Sequence, residues 1–335
     1  MNVTIALGGD TMLGRSVADA LAERPPVDVW SAEVRAVFAE ADAAIVNLEC
    51  CISERGEPWD PTRKPFHFRA PPRAVEALAA IGVGAVWLAN NHALDFGPEA
   101  LLDTLEHLDA AGIVAVGAGA RLAEARAGQV LEIGGARIGL VAFADHPLDF
   151  AAQPDAPGIA LADINDGAPA WLEEEVWRLA TTCDLVIAGA HWGPNMEAAP
   201  PRRHRTVAQE LVDVGLSVLA GSSAHLVHGI ERLGRGLICY DLGDLLDDYQ
   251  IDPTLRNDLG MLALLHLGER LELVPLKLEY THTTLARGAD LEEIVTRVTA
   301  ASRRFGTELR RESDRLVLDL GVDVGASASA EHVGV

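Results

Sequence analysis

Apolar residues recur along this chain in short runs, each closed by glycine or by polar residues. Residues 2–7 form the first such run and end in Gly8-Gly9-Asp10, which reads as a strand entering a tight turn. Helical spacing over residues 31–40, with Ser31 ahead of it, predicts a helix with Ser31 as N-cap. Residues 43–47 are apolar up to Asn47-Leu48-Glu49, and residues 84–88 lead into Ala89-Asn90-Asn91-His92; both read as buried strands. Between them lie a proline- and charge-rich loop over 58–72 and a helix opened by Pro71-Pro72 and running to Ile81. A helix over 98–111, closed by Gly112, precedes a β-rich stretch to Phe143 with Gly134-Gly135 as a hairpin turn. After a loop over 145–167, a helix over 170–183 leads to a strand over 184–188, which ends in Gly189-Ala190-His191-Trp192-Gly193. A helix over 202–214 and a strand over 216–219 lead into Gly221-Ser222-Ser223-Ala224-His225. Runs at 237–241, 260–266 and 271–280 read as late antiparallel strands. A helix over 290–305 with Asp290 as N-cap, a strand over 315–320 and a small, polar, fraying tail from Gly321 complete the reading.

Early strands alternate with helices and late strands follow one another, so the expected class is α/β, a parallel or mixed sheet with an antiparallel addition. No linker divides the chain. One domain over 1–310 is expected, with 311–335 supplying a last strand and a flexible tail. The chain of 335 residues is long enough for one large α/β domain. Its 50 acidic and 27 basic residues give a net charge of −23, which repels phosphate backbones and anionic lipid. Neither a nucleic-acid nor a membrane partner is expected. No apolar run has the length of a membrane span, and Asp10 interrupts the first run too early for a secretory signal. Four cysteines, two of them adjacent and none in a CxxC pair, suggest free thiols in a reducing cytoplasm.

The chemistry lies in what ends the strands. Asp10, Glu49, Asn91 with His92, His191 and His225 each follow an apolar run of about five residues, where open α/β sheets form their ligand crevice. Taken singly, each has an ordinary explanation: Asp10 as a turn residue, Glu49 as a solvated carboxylate, His225 as a local cap. Together they make a mixed oxygen and nitrogen donor set suited to one or two divalent ions of the Mn, Zn or Fe kind. Two carboxylates shared between two ions would build a centre for in-line phosphoryl displacement. Other features carry less. His67, His107, His146, His204, His266 and His282 read as surface or core histidines, Trp192 as a wall of the site, and Asp247-Asp248 as a solvated loop pair. Gly117-Ala118-Gly119 lacks the context of a dinucleotide site.

Six fragments in order carry a family resemblance: Gly9-Asp10-Thr11-Met12-Leu13-Gly14-Arg15, Asn47-Leu48-Glu49, Phe68-Arg69-Ala70-Pro71-Pro72, the stretch from Ala89 through Asn90-Asn91-His92 to Gly97, His191-Trp192-Gly193, and Tyr240-Asp241-Leu242-Gly243-Asp244. They resemble the CapA family, named for poly-γ-glutamate capsule synthesis and similar in turn to the calcineurin-like metallophosphoesterases. The resemblance implies a four-layer αββα sandwich and a metal-dependent hydrolase of phosphoesters, acting on a small-molecule or polymer substrate. A γ-glutamyl amide hydrolase or ligase, or a non-catalytic scaffold in polymer assembly, are the alternatives it leaves open. It implies that Asp10, Glu49, Asn91, His191 and His225 are metal ligands, with Glu49 as the bridge. It makes His92 the acid that protonates the leaving oxygen, oriented by Asp95, and leaves Arg15 available for a substrate phosphate or carboxylate. Two departures stand out. Met12 occupies the position of a phosphoesterase histidine, as is common in CapA relatives. Ser222 and Ser223 follow Gly221 where a histidine is usual, which leaves one metal an imidazole short unless His228 substitutes.

Overall fold

The protein is described by a computed structural model covering residues 3–60, 62 and 64–321; the expected fraying tail lies outside the described residues. Two sheets form its centre. The larger has ten strands. Its path runs Arg310–Glu312, Arg315–Asp319, Arg270–Glu279, Leu259–His266, Thr4–Thr11, Ala43–Leu48, Val83–Trp87 and Val114–Val116. Asp244–Leu246 pairs with Thr4–Thr11 and His282–Leu285 with Arg270–Glu279, both off that path. The second sheet has six strands, in the order Ile230–Leu233, Gly236–Cys239, Val218–Ser222, Leu185–His191, Ala136–Ala144 and Gln129–Ile133.

The sheets lie face to face because neighbouring residues of a strand point to opposite sides. Leu140, Ile187 and Val218 of the second sheet share one continuous core with Leu7, Ile45 and Val86 of the first. Their sequence neighbours Val141, Val186 and Leu219 pack the other way, against Leu172, Val176, Val207 and Leu211 of helices Ala170–Ala180 and Arg202–Asp213. Helices Arg15–Glu23, Ala32–Phe38, Gly97–Ala110 and Gly288–Arg303 send Val17, Leu21, Val34, Leu101 and Ile294 into the first core. The result is the expected layering of helix, sheet, sheet and helix. Central strands are apolar on both faces, so they read as runs rather than as alternation.

Several local readings change. The run at 237–241 is strand Gly236–Cys239, antiparallel to Ile230–Leu233 as expected but parallel to Val218–Ser222 on its other side. A run shows only that a strand is buried, and its neighbour is chosen by the crossover. The last long helix begins at Gly288 with Arg287 at its cap, so Asp290 sits in the first turn, 2.5 Å from the Arg256 guanidinium. Helix Arg15–Glu23 was not expected from the sequence, although Val17 and Leu21 bury one face of it. By contrast, Ser31 caps helix Ala32–Phe38 as its type and place suggest, accepting from the Val34 N–H at 3.2 Å. Ser31→Ala should therefore cost about 1 kcal/mol, read as a lower urea midpoint at unchanged slope.

Candidate metal centre

Parallel strands of both sheets end at one seam. In the first sheet Asp10 is in register with Asn47 on one side and with Asp244 on the other. In the second, His191 is in register with Ser222. Gly9 permits this closeness, since a Cβ there would lie 1.8 Å from the Gly243 carbonyl oxygen. The Asp10 N–H donates to that same carbonyl at 3.1 Å.

Four buried groups converge at the seam. Asp10, Glu49, His225 and Asp244 each place one ligating atom within 4.8 Å of all the others. His225 is in the left-handed region at φ 56°, which turns its ring inward. Its Nδ1 lies 2.8 Å from Asp244 Oδ1 and 3.3 Å from Asp10 Oδ2. Asp10 also accepts from Asn47 Nδ2 at 2.6 Å and from the Ser223 N–H at 3.0 Å. Glu49 accepts from the Tyr249 hydroxyl at 3.3 Å through Oε2. Glu49 Oε1 and Asp244 Oδ2, by contrast, are buried and have no hydrogen-bond partner. Buried carboxylate oxygens are normally satisfied, so two bare ones beside an imidazole fit a divalent cation.

The electrostatics follow from the crowding of acids. Burial works against ionised Asp10, but His225, His191 and the Ser223 N–H outweigh it and hold Asp10 at about 2. Burial and then Asp10 push Glu49 well above the usual carboxylate range. Burial raises Asp244, with His225 partly offsetting it. Burial also opposes a charge on His225, yet Asp244 and Glu49 lift it well above an ordinary histidine. In this arrangement an imidazolium supplies the positive charge that the acids require.

The other expected residues surround this cluster. His92 Nε2 is 3.8 Å from Glu49 Oε1, and its Nδ1 is 2.6 Å from Asp95 Oδ2. Phe68 stacks on the His92 ring at 3.9 Å, and the Phe68 N–H donates to Asp95 at 2.6 Å. Lys64 pairs with the other Asp95 oxygen at 3.2 Å. Burial raises Asp95 to about 7 against the pull of Lys64, and burial lowers His92 well below its usual value. His191 stands aside from the four-group cluster. Its Nδ1 is 3.0 Å from Ser222 Oγ and 3.7 Å from Asp10, and burial takes it down to about 3. Asn91 has a buried Oδ1 without a partner and lines a cleft of about 630 Å³ with Asp145, His146, Asn195 and Arg203. Arg15 is already engaged: it pairs with buried Asp248 at 3.3 Å and lies over the rings of Phe66 and Phe68.

Three readings are corrected. Asp247 and Asp248 are buried, not solvated, and Asp247 accepts from the Tyr249 N–H at 3.1 Å. Asp248 also accepts from the Ser16 N–H at 3.0 Å. His146 is not isolated: its ring lies 5.6 Å from that of His191 and its Nδ1 is 2.5 Å from Asp145. His228 does not substitute at the cluster, because its Nε2 bonds the Glu197 carbonyl at 2.9 Å. Asp244 escaped assignment to the site, although it closes a fragment already singled out. The available signal was another acid placed directly after a glycine.

The profile of the bacterial capsule synthesis protein PGA_cap matches residues 4–249, a span that holds every residue of the seam. The chain belongs to the PGA_cap family. A probable polyglutamine synthesis accessory protein of Mycobacterium tuberculosis is 33% identical, over 94% of this chain and 95% of the relative. The PGA biosynthesis protein CapA of Bacillus subtilis is 25% identical, over 93% and 81%. The capsule biosynthesis protein CapA of Bacillus anthracis is 26% identical, over 83% and 68%. These names place the family in capsule and polyglutamate biosynthesis and leave the chemistry of the seam unstated. Among the described residues of this PGA_cap protein, no helix is long and apolar enough to cross a membrane.

Proposed function

We propose that this PGA_cap protein is a metal-dependent hydrolase of the phosphoesterase type, serving polyglutamate or cell-envelope polymer metabolism. The observation that carries the reading is the pairing of two partnerless carboxylate oxygens, on Glu49 and Asp244, with a buried His92–Asp95 dyad beside them. Glu49 Oε1 has only the His92 ring, at 3.8 Å, and the second Asp244 oxygen only the acid Asp247 beside it, so a cation would supply the positive charge both lack. Asp10, Glu49 and His225 would hold it, with the Asn91 amide oxygen at the mouth of the cleft. Bound there, a divalent cation would polarise a phosphoryl or acyl oxygen and acidify a water.

The chain's own residues supply the proton. His92 Nε2–H donates to the leaving oxygen while Nδ1 takes a proton from Asp95, so the ring stays neutral throughout. Asp95 suits this role because burial brings it to about 7, within reach of neutral pH. Phe68 fixes the plane of the ring by stacking, and the Arg15 guanidinium lies 5.6 Å from the Phe68 ring centre.

Protein prepared without chelator and loaded with Mn²⁺ or Zn²⁺ is expected to turn over phosphomonoesters or phosphodiesters. EDTA should abolish the activity and added cation restore it. Turnover of γ-glutamyl peptides alone would replace the phosphoester with an amide. Bound metal without turnover on either panel would leave an accessory role without hydrolysis and defeat the proposal.

A further inference from the structure

We propose that Asp244 is itself a cation ligand, which makes the centre oxygen-rich and tilts its preference toward a hard divalent ion such as Mn²⁺. The inference rests on the metal-dependent reading above and adds to it the identity of the donors. Asp244 is 1% exposed; its Oδ1 meets His225, and its Oδ2 finds no N–H or hydroxyl donor, the side chain's remaining neighbour being another buried acid, Asp247. Strand pairing brings it there: Asp244–Leu246 lies parallel to Thr4–Thr11, with Asp244 directly opposite Asp10. An ordinary salt bridge to His225 would need one carboxylate, yet His225 Nδ1 faces two, and a third, Glu49, belongs to the same cluster.

The nitrogen count points the same way. His191 is turned onto Ser222 Oγ, Ser222 offers a hydroxyl rather than an imidazole, and His228 is bonded to the Glu197 carbonyl. His225 is left as the imidazole of the cluster, beside carboxylates from Asp10, Glu49 and Asp244. Carboxylate-rich sets suit Mn²⁺ and Mg²⁺, whereas each added imidazole favours Zn²⁺. Zn²⁺ binds most such sites more tightly in absolute terms, so the informative quantity is the ratio of the two affinities.

The test is a Mn²⁺ titration followed by the EPR signal of free Mn²⁺, with Zn²⁺ affinity from an indicator dye, on the full chain. Asp244→Asn keeps an oxygen that can accept from His225 and removes only the charge and the strong donor. It is expected to weaken Mn²⁺ binding at least tenfold. Asp244→His should move the Zn²⁺ to Mn²⁺ affinity ratio at least tenfold toward Zn²⁺. Pulsed EPR of the Mn²⁺-loaded wild type should find a single directly bound nitrogen, a readout that needs no variant. Wild-type affinity in Asp244→Asn would make Asp244 a mere orienter of His225 and overturn the assignment. Two bound nitrogens in the wild type, or an unchanged ratio in Asp244→His, would overturn the oxygen-rich centre. A wild type that binds neither ion would instead overturn the hydrolase reading itself, an outcome distinct from the others.

Discussion

Replacing His92 with alanine should lower kcat by about 10²- to 10⁴-fold, the usual worth of a positioned general acid, while leaving the bound cation in place. The ring touches Glu49 only at 3.8 Å, whereas it shares its proton with Asp95 at 2.6 Å, so its removal strips the proton relay and spares the cluster. Metal content by mass spectrometry separates the two effects. The pH profile gives an independent check. The relay needs its proton, and the folded value for Asp95 is about 7, raised by burial. The relay therefore holds its proton below that value, and activity should fall as pH rises through it. His92→Ala should lose this alkaline limb along with the rate. A variant that loses rate and metal together, or keeps the limb, would show that His92 serves the cluster rather than the leaving group.

Gly9→Ala is expected to cost more than about 4 kcal/mol, or to prevent folding, a size seen only where a structural rule is broken. The added Cβ would lie 1.8 Å from a backbone carbonyl oxygen, that of Gly243, and backbone cannot step aside as a side-chain tip can. Relieving the clash means parting the strand that carries Asp10 from the one that carries Asp244. Any folded fraction should then bind its cation weakly. Gly84→Ala is the matched control, because its Cβ would meet Ala43 and Leu131 at 3.5 and 3.7 Å, ordinary contact distances. It should stay within about 1 kcal/mol of wild type in urea. Equal stabilities for the two variants would mean that the close approach at Gly9 is not needed.

Local pattern alone marks polar groups that meet at the seam. Asp10, Glu49 and His225 end apolar runs, and the strand-end rule points to them without knowledge of the neighbouring strands. Doubly buried strands announce themselves as runs, but the runs point only to a mixed sheet, and the four-layer arrangement is what the family resemblance implies. What escapes depends on pairing. Asp244 lies on a strand of three residues, too short for any period, and its meaning comes from lying opposite Asp10. Asp247 and Asp248 read as solvated because adjacent acids usually are, and only the fold shows that Arg15, Ser16 and Tyr249 cover them. His191 occupies a strand end as expected, but its ring turns to Ser222, and a side chain's choice between neighbours is not written in spacing.

The return of Asp244–Leu246 to the first sheet, after the chain has built the second, has a consequence for synthesis. The 195 residues from Glu49 to Asp244 take roughly 10–40 s to emerge at about 5–20 residues per second. Throughout that interval the first carboxylates are on the ribosome with their partners still unmade. Local pieces such as Thr4–Thr11 beside Ala43–Leu48 can pair early, but the seam closes only when a segment from far downstream slots in beside Asp10. On the metal-dependent reading, cation capture would thus have to wait until most of the chain is made. The acids spend the wait in water, where their charge costs nothing, and are drawn together only once Asp244–Leu246 arrives, with Leu259–His266 and the strands after it still to come.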